Sequence, residues 1–193
     1  METHRKAREI AAAQGGVILR SQAIALGFTD DQIQYRSTIG DWQRINGRSY
    51  RLFEMPGSLD RVRSAVAVLP DAVASHEAAA ELHDLPRVRR GIAVVTVHTR
   101  TTHNFPGVRV RRAHDLLETH VTRVAGIPVT TIERTVVDLA RLVSENHLVD
   151  IVEDLLAADR LQPVELREIV RVVARRGRPG SSSLRAVVDE YVD

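Results

Sequence analysis

Along the first part of the chain the apolar positions recur with a helical period, and each change of period carries a turn signal. Residues 4–13 put Ile10 and several alanines on one side, the pattern of a short amphipathic helix, and Gly15-Gly16 closes it. Ser21 is placed to cap a second helix over residues 22–26, which Gly27 ends. Thr29-Asp30-Asp31-Gln32 has the capping-box pattern, a hydroxyl at the N-cap and an amide side chain three residues on. It predicts a third helix over 29–39, stopped by Gly40. Residues 42–45 and 49–53 suit two strands, and Asn46-Gly47 between them is a strong two-residue hairpin signal. Helix, helix, turn, helix and hairpin thus fill residues 4–53.

Pro56-Gly57 marks a boundary, dividing the chain into residues 1–56 and 57–193. Beyond it, Ser58 is placed to cap a helix with Leu59, Val62, Val66 and Leu69 on one face. Ser75 is placed to cap another carrying Ala78, Ala79, Leu82 and Leu85. Residues 92–98 are rich in β-branched side chains and suit a buried strand. Residues 108–112 alternate strictly, which predicts a strand with one arginine-rich face, and 127–129 suit a short strand. Thr130-x-x-Glu133 opens a helix with Ile132, Val136, Leu139 and Val143 inward. Leu148, Ile151, Leu155 and Leu156 mark the next, 163–176 a third, and Leu184, Val187, Val188 and Tyr191 the last, after a glycine- and serine-rich link over 177–183. The fold class expected is α+β: an N-terminal winged helix-turn-helix, then a larger mixed α/β domain that ends in a helical segment.

Composition narrows the function. With 193 residues, 44% of them hydrophobic, the chain can bury a sizeable core, and with 4% aromatics that core is mostly aliphatic. The lack of cysteine excludes a disulfide framework, a thiolate zinc site and a cysteine nucleophile. The apolar stretch at the N-terminus is short and broken by charge, unlike a secretory signal, and no apolar run approaches the ~20 residues that span a bilayer. A cytoplasmic protein with no membrane partner is expected. Charge is uneven: residues 1–124 hold 18 Lys and Arg against 13 Asp and Glu, and the remainder 9 against 12. All the basic residues but Lys6 are arginine, which suits forked contacts to phosphates and guanine edges.

A basic front half with a tight helix pair fits a partner of double-stranded DNA, whose major groove accepts the second helix of such a pair. Ile33 faces inward by spacing, which leaves Gln32, Gln34, Tyr35, Arg36 and Thr38 for base edges. Gln and Arg side chains can each make two hydrogen bonds there. In the hairpin, Arg44, Asn46, Arg48 and Arg51 are candidates for phosphates or the minor groove. Arg109 and Arg111, taken as exposed on one strand face, form a candidate surface for nucleic acid or a protein partner.

The segment GFTDDQIQYRSTIGDWQRINGRSYRLF resembles the N-terminal winged helix of AbiEi-type antitoxins, with Asn46-Gly47-Arg48-Ser49-Tyr50 standing at that family's RGVY-like wing turn. Residues 75–85, SHEAAAELHDL, are similar to its S-H-x-T-A-A-x-L-H-G-L segment, with Ala78 and Asp84 as departures. Residues 106–112, PGVRVRR, resemble its PGVRVHR strand without the histidine. Residues 129–140, VTTIERTVVDLA, are close to its V-T-T-P-x-R-T-L-V-D-L-A segment. The resemblance implies an antitoxin of a type IV toxin–antitoxin pair. Such a protein binds inverted repeats in its own promoter for negative autoregulation and counteracts a nucleotidyltransferase-like toxin. Longer members continue into a Vsr-like nuclease domain; this sequence ends at Asp193, so that activity is not expected. The alternative is a plain DNA-binding regulator whose rear domain senses a ligand or partner.

An enzyme is the reading the residues favour least, and neither catalytic residues, a cofactor nor a metal is expected. His76 and His83 are seven apart, not the four of a zinc-binding helix, and His98, His103, His114 and His120 have no ligand spacing. No phosphate-binding Gly-Lys-Ser/Thr and no G-x-S-x-G is present, and the single lysine is near the terminus. Arg134 and Asp138, four apart on one helix, fit an ion pair that supports the fold.

Overall fold

A computed structural model describes residues 2–54, 57–69, 71–98, 105, 107–173 and 180–191. Pro56, His103, Pro106 and residues 174–179, on which some of the sequence expectations fall, lie outside them.

The front unit runs α1 (Glu2–Ala13), β1 (Val17–Leu19), α2 (Arg20–Ala25), α3 (Asp30–Thr38), β2 (Gln43–Asn46) and β3 (Ser49–Arg51). β3 lies between β1 and β2 and is antiparallel to both. This order of helices and strands is a winged helix-turn-helix. Ile18, Ala23, Phe28, Ile33, Trp42 and Tyr50 close its core. Phe28 and Trp42 meet edge to face with ring centres 5.1 Å apart, a preferred aromatic geometry. The capping box is complete: Gln32 N–H donates to Thr29 Oγ1, and Thr29 N–H donates to Gln32 Oε1, both at 3.2 Å.

Three features differ from the sequence expectation. α2 begins at Arg20 with Leu19 at its N-cap, so Ser21 lies inside the helix and does not cap it. β1 is a strand of three residues, too short to show an alternation. The hairpin turns one residue late: Asn46 pairs with Ser49, leaving Gly47-Arg48 as the loop. Asn46 Oδ1 accepts from Arg48 N–H at 2.8 Å, so the asparagine folds the turn with its side chain from the last strand position.

Gly15 and Gly16 do more than end α1. Both have positive φ, +67° and +88°. A Cβ on Gly15 would stand 2.1 Å from Asp60 O, and one on Gly16 2.2 Å from Phe53 O. Only glycine allows this close approach. It seats α4 (Ser58–Val68) against the front unit, and Ser64 Oγ donates to Gly15 O at 2.6 Å.

The rear unit continues with β4 (Val73–Ala74), α5 (His76–Leu82), β5 (Val94–Val97), β6 (Arg109–Arg112), β7 (Val121–Val124), β8 (Ile127–Thr130), α6 (Ile132–Leu139), α7 (Glu145–Ala157), α8 (Pro163–Val173) and α9 (Ser181–Tyr191). Its mixed sheet has the order β6-β5-β4-β8-β7, with β5 parallel to β6 and β4 parallel to β8. One core lies on the sheet beneath α4 and α5, around Val62, Leu69, Val94, Val95 and Val129. A second joins α6 to the three last helices, around Leu139, Leu148, Ile151, Leu155, Leu166 and Leu184. α6 is buried along nearly its whole length, from Glu133 to Leu139.

In the rear unit two caps shift by one residue and a third keeps its position but bonds elsewhere. Gly57 holds the cap position of α4, and Ser58 instead donates from Oγ to Glu81 at 3.1 Å. Ser75 sits at the N-cap of α5, but its hydroxyl meets Thr96 Oγ1 at 2.7 Å. The cap of α6 is Thr131, not Thr130: Thr131 Oγ1 accepts from Arg134 N–H at 3.3 Å. Thr130 turns inward to the Thr135 hydroxyl at 2.8 Å.

Candidate nucleic-acid interface

The capping box fixes where α3 starts, and burial of Ile33, at 1% exposure, fixes its rotation. Gln34, Tyr35 and Thr38 then project to solvent, Tyr35 at 61% exposure. Thr38 Oγ1 donates to Gln34 O at 3.0 Å, the ordinary back-bond of a helical threonine. Gln32 is exposed too, but its Oε1 is engaged by the cap and its amide donors remain for a partner.

Arg36 departs from the expected base-reading role. Its guanidinium lies over Phe28 and Trp42, 5.2 and 5.9 Å from the ring centres. It also donates to Gln32 O at 3.4 Å and meets His4 Nε2 at 2.6 Å. The side chain covers the aromatic core, a cation–π arrangement that holds α3 to α1.

In the wing, Arg44 and Arg48 are exposed around the turn, and Arg44 Nε donates to Asn46 O at 3.3 Å. Asn46 is half-buried and occupied by the turn. Arg51 is also turned inward, its side chain 18% exposed and 3.5 Å from Glu54. The expected contact set therefore divides. Gln32, Gln34, Tyr35, Thr38, Arg44 and Arg48 stand on the surface; Arg36, Asn46 and Arg51 serve the fold. Sequence reasoning passed over Arg20, which pairs with Asp30 at the start of α3. That pairing compensates one of the two carboxylates that would repel a phosphate.

The two arginines of β6 also separate. Arg109 is exposed, with Nη1 3.5 Å from Glu77 Oε1. Arg111 is half-buried, and its Nε is buried with no hydrogen-bond partner among the described residues. It lines a cavity of about 340 Å³ together with Thr96, its register partner on β5, and with His76, Arg134, Asp138 and Arg141. The two arginines do share one face of β6, but only Arg109 is exposed, because that face is covered at Arg111 by the residues around this cavity.

Arg134, 1% exposed, is the centre of a buried network. Its Nε donates to Asp138 Oδ1 at 3.2 Å, Nη2 to Asp115 Oδ1 at 3.0 Å and Nη1 to Asp115 O at 2.8 Å. Nη1 also reaches His120 Nδ1 at 3.4 Å, and Leu117 N–H donates to the same nitrogen at 3.3 Å. With two donors aimed at Nδ1, the neutral ring protonated on Nε2 fits. Burial, and after it the Arg134 charge, hold the His120 imidazole below its usual value of 6.5. Among the described residues no three His, Asp or Glu side chains come together to hold a metal ion. Nor is any helix among them long and apolar enough to cross a membrane.

The architecture defines a winged helix-turn-helix unit joined to a mixed α/β body. No family model and no curated protein matches the chain. Among solved structures it is similar to the crystal structure of the Rv2827c protein from Mycobacterium tuberculosis. The TM-score is 0.60 at 17% identity, over 97% of this chain and 76% of that one. At that identity the likeness is one of fold.

Proposed function

We propose that the chain is a non-enzymatic, cytoplasmic DNA-binding autorepressor, and the antitoxin of a type IV pair with a nucleotidyltransferase-like toxin. The observation that carries DNA binding is the exposed face of α3, with Gln34, Tyr35 and Thr38 outward, beside a wing that presents Arg44 and Arg48. Helix residues of this kind read base edges, and wing arginines neutralise phosphates. The antitoxin role rests on the sequence resemblance, which spans the winged helix, α5, β6 and α6. The cavity at Arg111 favours a second reading, a regulator whose rear unit takes a ligand.

Anisotropy titrations with duplex DNA from the chain's own promoter, at several salt concentrations, test the first reading. Gln34→Ala relaxes preference at one base pair by ~1–3 kcal/mol. Arg44→Ala with Arg48→Ala weakens all sequences alike and flattens the salt dependence by about two phosphate contacts. Unchanged affinity in that double variant refutes the interface. Co-expression with the neighbouring gene product tests the antitoxin role: growth arrest that the full chain does not relieve removes it.

A further inference from the structure

Among the described residues the cavity beside β6 is walled by the rear unit alone, apart from the winged helix. Its charge is out of balance. The two carboxylates in its wall, Asp115 and Asp138, share Arg134, each at 3.0–3.2 Å. Arg111, Arg112 and Arg141 also line it, so among the described residues three cations face the single negative charge that this triad leaves. Arg112 is anchored through Nε to His98 O at 3.4 Å. Arg111 is half-buried, with its Nε lacking a hydrogen-bond partner among the described residues. Burial first, and the nearby Arg141 charge next, lower its pKa from the usual arginine value. Arg109 adds to that effect, while Glu77 and Asp138 oppose it in part. A half-buried guanidinium crowded by like charge is stabilised by an anion that fills the space between them.

The remaining wall is suited to more than a bare ion. Thr96 supplies a hydroxyl bonded to Ser75 Oγ, which in turn meets His76 Nδ1 at 3.0 Å. His76 is held there at a positive φ of 53°. Val173 adds an apolar surface. A volume of about 340 Å³ lies within the range of small-ligand sites and leaves room for an organic group beside a phosphate.

We infer that this cavity binds a small phosphate-bearing molecule, with Arg111 and Arg141 on the phosphate and the Thr96 and His76 side toward the organic part. The site stands independently of DNA binding. Its test is calorimetric titration of the full chain with three probes: inorganic pyrophosphate, a nucleoside 5′-monophosphate and the same nucleoside without phosphate. The nucleoside monophosphate binds saturably and the bare nucleoside does not; pyrophosphate binding alone identifies an inorganic source of the same chemistry. Arg141→Gln, at an exposed position, weakens binding roughly tenfold or more, the effect of losing one charged contact. Arg111→Gln does the same where circular dichroism shows it folded. Arg44→Ala with Arg48→Ala leaves the binding unchanged. Three results overturn the assignment: no binding by either phosphate probe, binding unaltered in Arg141→Gln, or binding lost in the wing variant. The last transfers the anion site to the DNA face.

Discussion

At the scale of single residues, Arg134 and His120 show how a buried charge is made tolerable and why that arrangement is sensitive to pH. Arg134 is inaccessible, and its partners Asp115, Asp138 and His120 all accept from it. Removing one carboxylate leaves the buried cation with a single counter-charge, at a cost approaching the roughly 3–5 kcal/mol of a broken buried pair. Asp138→Ala should therefore lower the denaturation midpoint far more than the exposed change Arg109→Ala; equal effects would show that the pair is not structural. His120 gives the network a pH dependence. The unfolded chain takes up a proton at this ring near its usual 6.5, and the folded chain only at lower pH. Stability from this group is complete above that value and falls as pH drops through the window beneath it. His120→Gln keeps an acceptor for Arg134 but cannot protonate. Urea midpoints measured from about pH 7 to about pH 5 should fall more steeply in the natural protein than in this variant.

At the scale of elements, the best-marked feature of the sequence was the capped helix. Thr29 and Gln32 form the reciprocal pair that their spacing implies, and this one local device fixes the start of α3 and so its outward face. Thr29→Ala should cost ~1 kcal/mol of stability, seen as a lowered thermal midpoint with the fold retained. The long aliphatic helices α7, α8 and α9 were equally legible, because their period persists for eleven residues or more. β1 and β4, three and two residues long, are too short for a periodic signal, and β7 (Val121–Val124) was not anticipated either. The candidate interface was half legible. Spacing placed Gln34, Tyr35 and Thr38 outside, since Ile33 must be inside. It had no means to show that Arg36 would fold back over Phe28 and Trp42, or that Arg111 would turn into a cavity while Arg109 stayed exposed. Those outcomes depend on neighbours remote in sequence: His4 for one, Arg141 for the other.

At the scale of the whole molecule, the front and rear units have separate cores but share an interlocked seam. Gly15 sits against Asp60 O, and Ser64 holds Gly15 O from across the boundary. An alanine at position 15 meets the left-handed backbone cost of ~1–2 kcal/mol and a carbonyl oxygen where its methyl must go. Gly15→Ala should lower stability by more than that backbone cost alone, and α4 must back away from β1 to admit it. The seam is open to direct optical observation, because the chain's single tryptophan, Trp42, is buried in the front core at 3% exposure between Phe28 and Tyr50. Its emission reports on the winged helix and nothing else, whereas far-ultraviolet circular dichroism is dominated by the rear helices. In the natural protein the two signals should melt together, as one cooperative unit. With the seam pried apart by Gly15→Ala, the fluorescence should change first, and the gap between the two curves measures how much of the front unit's steadiness is lent to it by the body behind.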